Sequence, residues 1–437
     1  MVIGDDTLYC PIPPVIWAGR PGGGSRAAVI HKAYTRELWR ERDLTGRIGL
    51  AAHCLLAPVA IGCATAYFTW HNGRTIRRRA GRSITGQVID QVALAWRHGV
   101  WSPWYYMFEL YRDANRAQAG AFLMRYETKR NLYDLLKHHW EKTDGLLLNN
   151  KALFAEHCAR HALPAPETLA LVENGRLRAT WSDESVVAFR LPPADLFIKP
   201  MTGKGGRGTL RARWTDGRYA VSNGTALSED EMIGHLAVLS RKYPLLVQGC
   251  LTNHRDILDL TADALSCVRA VTCRNETGGF EVTNTAFRMA MRADTTVDGL
   301  HRGGLAAKVD IRTGTLGPAT DLGMMPGIGW CDANPYTGVP IAGRVLPRWH
   351  DLVALAERAH AAFPWKATVG WDIAITDTGP VLVEGNGSPC VDIIQRVESA
   401  PLGAQRFGDL LAWHVERAIE ARDQAEQGSG RPVKASP

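Results

Sequence analysis

With 437 residues, 46% of them hydrophobic and 22% charged, the chain can bury a sizeable core and divide into two or three domains, which excludes a disordered polar protein. Its formal charge of +7 is spread along the sequence, with 51 Lys and Arg against 44 Asp and Glu. That pattern favours a nucleotide or an anionic surface over nucleic acid as partner. The nine cysteines form no C-x-x-C pair, and the acidic, proline-containing start MVIGDDTLYCPIPP lacks the basic and apolar halves of a secretory signal. A reduced, cytoplasmic setting is expected.

Residues 1–30 are rich in Pro and Gly and read as an irregular arm, after which the periodicity to about Asp144 is mostly helical. An N-terminal helical region over 1–145 follows. Inside it, Ile48 to Trp70 is 23 residues long without Asp, Glu, Lys or Arg, long enough to span a bilayer. The following run HNGRTIRRRAGR carries five arginines and no acid, which suits an anionic cytoplasmic leaflet. Two readings stay open: a membrane-embedded or membrane-lying segment, with peripheral association through 48–82 at the inner face, or a buried or docking helix.

After Asn150 short β-rich runs alternate with helices: LFIKP, YPLLVQGCL, CVRAVTCR, LAAKVDI, GWDIAIT and GPVLVEGN. An α+β region is implied, with helices near 349–362 and 407–422 and a polar tail over 423–437 expected to be disordered.

Directly after LFIKP comes MTGKGGRG, in which Gly203, Gly205, Gly206 and Gly208 flank Lys204. Side chains removed at these points let backbone N–H groups close around phosphate oxygens. The residues that follow, TLRARWTDGRYAV, read as strand, Asp-Gly turn and strand, so the loop is a flap between strands and not the opening of a dinucleotide-binding helix. Lys204 is followed by Gly205 where a Walker A loop needs Ser or Thr. His254-Arg255-Asp256 spells the kinase catalytic tripeptide, but Thr261 stands where the kinase Asn belongs and no D-F-G follows.

Near the far end, GWDIAIT, a turn and VLVEGN read as a hairpin that brings Asp372 near Glu384 and Asn386. Glu384 and Asn386 are two residues apart and share a strand face. Two carboxylates and an amide oxygen form a hard-oxygen cage, as magnesium requires on a nucleotide.

Together these pieces resemble the ATP-grasp superfamily, and LLVQGCLTNH, SCVRAVTCR, AFRMAMR, VDGLHRGGLAAKVDIRTGTLGPATDLG and VGWDIAITDTGPVLVEGNGSP resemble its sugar-transfer-associated family over roughly 140–415. The resemblance implies an ATP-grasp fold with a smaller lobe over 146–245 and a larger lobe over 246–422. It implies ATP held by Lys151, Lys199 and the glycine flap, with adenine read by the backbone of Gln248, Cys250 and Leu251. Gly249 stands where a Glu is usual, which removes that side chain from the hinge. Asp372, Glu384 and Asn386 match the magnesium ligands. Arg269 and Arg288 match arginines aimed at the γ-phosphate and acyl group, and His301 lies in the matching substrate loop. A plainer reading of each arginine is a structural ion pair, and of His301 a solvated loop side chain.

The implied reaction is ATP-dependent joining of a small-molecule carboxylate to an amine through an acyl phosphate, in assembly of a cell-surface polysaccharide or related conjugate. A kinase of a small-molecule hydroxyl and a non-catalytic ATP-binding scaffold are the alternatives.

Overall fold

The computed structural model describes residues 25–428, apart from 41, 130, 141–145, 179–189, 204–205, 222–223, 262–263, 292–299 and 301–302. The helical N-terminal region comprises α1 (Arg26–Arg40), α2 (Leu44–Ala80), α3 (Ile84–His98) and the shorter α4 (Ser102–Met107), α5 (Asp113–Ala117), α6 (Arg125–Lys129) and α7 (Asn131–Trp140). Asp43 caps the start of α2 by accepting from the Gly46 amide, and Gly81 ends it in a left-handed conformation (φ 73°) that a glycine adopts freely. Ser83 then caps α3, so α2 and α3 form an antiparallel hairpin.

Two short helices, α8 (Leu146–Asn149) and α9 (Lys151–Arg160), lead into β1 (Thr168–Glu173), β2 (Arg176–Arg178), β3 (Leu196–Pro200), β4 (Leu210–Thr215), β5 (Arg218–Val221), β6 (Ala226–Leu227), α10 (Glu229–Ser240) and β7 (Leu245–Gly249). The strands form an antiparallel sheet in the order β2-β1-β7-β3-β4-β5-β6. The β4–β5 turn falls on Asp216-Gly217, both with positive φ, the chemistry that the Asp-Gly pair implies. Met232 and Leu236 of α10 pack with Ala170, Ile198, Tyr219 and Val247 of this sheet as the core of the small lobe.

The large lobe carries β8 (Cys267–Arg274), β9 (Phe280–Met289), β10 (Leu305–Val309), β11 (Leu316–Thr320), β12 (Trp330–Cys331), α11 (Trp349–Ala362), β13 (Thr368–Thr376), β14 (Gly379–Asn386), α12 (Val391–Glu398) and α13 (Arg406–Gly428). Its sheet runs β12-β11-β10-β9-β8-β13-β14, again antiparallel throughout. Alternation sends Val268, Ala270, Trp371 and Ile373 to one face, where they pack with α11. On the opposite face Val271, Cys273, Ala286 and Ala306 pack with the N-terminal helices, α12 and α13. That cover leaves the Arg269 end of the same face for chemistry.

Three expectations change. Leu148 of α8 and Phe154 and Cys158 of α9 pack in the core of the large lobe while Ala152 packs with Leu171, Met201 and Leu246 of the small one, so 146–160 bridges the two lobes instead of belonging to the small one alone. The small-lobe sheet ends at Gly249 rather than 245, because β7 pairs with both β1 and β3. Residues 423–428, expected in a disordered tail, extend α13: Asp423 pairs with Arg36 and Arg422, and Glu426 with Arg40.

The helical region is tied to the large lobe by Arg396, whose side chain is 3% exposed. It donates to the Met107 carbonyl (2.8 Å), Glu109 (3.1 Å) and Thr320 Oγ1 (2.7 Å), and its guanidinium lies 5.0 Å from the centroid of the Trp330 ring. Removing one partner of a buried pair strands the other. Arg396→Met should therefore lower unfolding free energy by about 3–5 kcal/mol, read as a lower urea midpoint.

Candidate functional site

Asp372 on β13 is the centre of the site. Its Cα faces Arg269 of β8 on one side and Glu384 of β14 on the other, so all three side chains start from the same sheet face. Arg269 donates from Nε to Oδ1 (2.6 Å) and from a terminal nitrogen to Oδ2 (3.1 Å), and Arg288 of β9 reaches Oδ2 at 3.1 Å. Burial alone would raise the Asp372 pKa, but the two guanidinium groups outweigh it and hold the carboxyl below the usual carboxylate range. The ion-pair reading of both arginines is thus what the structure contains, and the same pairing fixes two permanent cations on one surface.

Glu384 and Asn386 sit half-buried beyond Asp372. Their register contains a bulge: Asp372 pairs with Glu384 while Ile373 pairs with Leu382, leaving Val383 as the extra residue. A bulge re-aims neighbouring side chains, here at the position of the conspicuous acid. Between Glu384 and Asn386 only glycine fits, since a Cβ on Gly385 would lie 2.7 Å from both the Trp371 ring and Leu148. Two carboxylates and an amide oxygen therefore share one face, a donor set suited to a hard divalent cation; both Asp372 oxygens already receive guanidinium hydrogen bonds, which places Glu384 and Asn386 first in line as ligands. Among the described residues no group of three or more His, Cys, Asp or Glu converges as a metal cage, at this site or elsewhere.

Across the cleft, Lys199 on β3 is 5% exposed. Burial pushes its pKa down to about 8, against the raising effect of Glu384, and Lys151 lowers it further. The three groups thus feel one another across the lobes. Lys151 opens α9 behind its Asn150 cap, its amide donating to the Met201 carbonyl (2.8 Å) and its Nζ to Gly203 (2.9 Å). It therefore braces the stem of the glycine flap. Gly203 and Gly206 have positive φ, and a Cβ on Gly208 (φ 74°) would sit 3.0 Å from Pro200 and 3.1 Å from the Tyr243 hydroxyl. Lys204 and Gly205 at the flap tip, and His301 with Asp298 in the loop before Gly303, lie outside the described residues.

In the hinge, Gln248 is buried and donates to the Pro166 carbonyl (3.2 Å), so its side chain secures the strand. The amides of Gly249 and Cys250 bond the Glu167 and Asp195 carbonyls. Cys250 is half-buried, with burial pushing its thiol pKa up, and Leu251 follows it beyond the strand end. His254-Arg255-Asp256 opens a short 3-10 turn in which Arg255 bonds Asp377 on the surface (3.2 Å). This is a structural pair without catalytic geometry.

Sequence reasoning missed Lys366. It is 4% exposed, burial lowers its pKa to about 8, and its Nζ lies 3.2 Å from where a Cβ on Gly387, next to Asn386, would sit. Its only signal was a lysine two residues before a strand, β13, that is buried along its whole length.

No curated protein sequence matches the chain. Among solved structures, D-alanyl-alanine synthetase A from Vibrio cholerae O1 biovar eltor is 12% identical, with a TM-score of 0.37 over 63% of this chain and 66% of that one. The D-cycloserine synthetase DcsG is 15% identical, with a TM-score of 0.35 over 62% and 71%. The D-alanine-D-alanine ligase from Coxiella burnetii is 10% identical, with a TM-score of 0.35 over 65% and 62%. The chain thus spans about two thirds of the length of these proteins. The model of the sugar-transfer associated ATP-grasp family matches residues 132–406, well over half of the chain, and includes Lys151, Lys199, Arg269, Arg288, Asp372, Glu384 and Asn386. The chain belongs to the sugar-transfer associated ATP-grasp family.

Proposed function

We propose that this protein is an ADP-forming carboxylate–amine ligase. The observation that carries the reading is the single sheet face on which Arg269, Arg288, Asp372 and Glu384 meet, with Lys199 opposite and electrostatically coupled to Glu384. ATP is the family's nucleotide, and this cluster offers two fixed guanidinium groups and a buried ammonium to its phosphates.

In the proposed reaction a substrate carboxylate oxygen attacks the γ-phosphorus, and the bond to the ADP oxygen breaks with its electron pair leaving on ADP. The acyl phosphate so formed is attacked at carbon by an amine, which loses a proton as inorganic phosphate departs. Arg269 and Arg288 stay charged at any accessible pH and offset the anionic charge of both steps. Asp372 keeps them aligned, so little reorganisation remains for the moment of transfer. Magnesium, held by Glu384 and Asn386 with Asp372, would neutralise phosphate charge. The family's sugar-transfer association supports an acceptor amine on a cell-surface polysaccharide or related conjugate.

Glu384→Gln should abolish turnover while an ATP analogue still binds, since adenine and Lys199 belong to the other lobe. With the native chain, hydroxylamine should trap the intermediate as a hydroxamate alongside ADP. AMP with pyrophosphate, or a stable phosphorylated hydroxyl, would reject the ligase reading in favour of adenylation or a kinase.

A pH dependence follows from Lys199. Its folded pKa of about 8 lies below the ordinary lysine value, so the ammonium is charged near neutrality and is lost as pH rises through 8. Nucleotide affinity should fall between pH 7 and pH 9, and Lys199→Arg, charged throughout, should flatten that fall in calorimetric titrations. An unchanged slope in the variant would remove Lys199 from the phosphate contact.

A further inference from the structure

We propose that the α2–α3 hairpin is a docking surface for a lipid bilayer with anionic headgroups. Of the eighteen exposed large hydrophobic residues described, twelve lie on these two helices. Scattered exposed hydrophobics are ordinary; concentration on one hairpin is not.

The helix α2 has 37 residues, about 55 Å at the α-helical rise, and continues through Pro58. One stripe, through Leu50, Ala57, Ile61, Thr65, Phe68 and Asn72, is buried against the protein. The other side exposes Leu55 (81%), Leu56 (64%), Val59 (65%) and Trp70 (84%). Only 22% of its most apolar stretch is buried. A helix anchored on water should reverse this pattern.

The second helix is turned inside out. Gln87, Asp90 and Gln91 of α3 face inwards, while Ile89 (61%), Val92 (44%) and Trp96 (49%) face outwards. Apart from Gln91 Oε1, the inward groups are paired: Gln91 donates to Thr69 (2.8 Å) and Tyr106 (3.2 Å), Tyr106 donates to Gln87 (3.1 Å), and Asp90 accepts from Arg82 (2.7 and 2.9 Å) and Tyr105 (3.1 Å). Polar groups paired inside and apolar groups outside is the arrangement that lipid selects. Hydrogen bonds between the helices place Gln87 beside Gly73 and Gln91 beside Thr69, an antiparallel register in which the exposed residues of α3 run beside Tyr67 and Trp70 while Leu55, Leu56 and Val59 extend the apolar surface past the end of α3.

Charge chooses the occupant. Between Asp43 and Glu109 the only acid is Asp90, which is buried and paired, while Arg74, Arg77 and Arg78 are exposed at the turn end of the hairpin and Arg47 near the start of α2. Anionic headgroups complement such a rim, and Trp70 and Trp96 have the amphipathic rings that settle at the headgroup level. A second copy packed antiparallel on α2 would bring Arg47 against Arg74–Arg78 with no acid between them. Because one stripe stays fixed to the protein, the hairpin lies in the interface and does not span it.

The test is flotation of the full-length protein with vesicles of phosphatidylcholine alone and of phosphatidylcholine with phosphatidylglycerol. The native chain should float with the anionic vesicles. Arg74→Gln/Arg77→Gln/Arg78→Gln should weaken that binding on the order of a hundredfold, and Leu55→Glu/Val59→Glu/Trp70→Glu should abolish it while thermal unfolding stays unchanged. A native chain that stays at the bottom of both gradients overturns the proposal. So does a lipid-free dimer that the Leu55/Val59/Trp70 variant converts to monomer, which would assign the face to a second copy.

Discussion

The Asp372 carboxylate lies between Arg269 and Arg288, and without it two guanidinium groups from neighbouring strands would face each other on a buried sheet surface. Like charges held at that spacing in a poorly solvated site repel strongly, so the anion is a condition for the strands to pair in this register. Once it is present, Glu384 is set by β13–β14 pairing and the bulge at Val383, and the Trp371 ring behind the sheet forbids anything but Gly385 in between. The chemistry-bearing face and the packed face are consequences of one alternation.

The small lobe answers with a different device. Lys199 is buried enough that its charge is expensive, and Lys151 adds repulsion, with Glu384 across the cleft as the opposing attraction. An anionic ligand entering between the lobes relieves both penalties at once. The flap glycines Gly203, Gly206 and Gly208, all with positive φ, carry no side chain between that ligand and the backbone.

Much of this was legible along the chain because it is local. The strands CVRAVTCR and GPVLVEGN and the helix at 349–362 appear with the expected bounds, since apolar alternation or helical spacing defines each within a single run. The pairing of Asp372 with Arg269 and Arg288 was not legible, for it joins residues about a hundred positions apart through sheet register. Nor could periodicity tell that α8 packs on the large lobe and α9 between the two lobes, because an apolar stripe states that it will be buried and not against what. The same ambiguity covered Ile48–Trp70: composition gave an apolar helix, but only packing revealed which side was left outside. The final turns of α13 were misjudged for the opposite reason, since polar composition hid ion pairs to α1.

The loop between β11 and β12 is gripped from three directions: Arg396 bonds the Asp321 carbonyl (3.2 Å), and from α2 Asn72 holds the Met324 carbonyl (3.2 Å) and Arg79 that of Gly327 (3.1 Å). Helical region and large lobe are therefore joined through this loop at three points. Any orientation imposed on α2 from outside is inherited by the sheet face that carries Asp372. The small lobe meets that body through the chain entering β1, the chain leaving β7, and Ala152 of α9, which packs with Leu171, Met201 and Leu246.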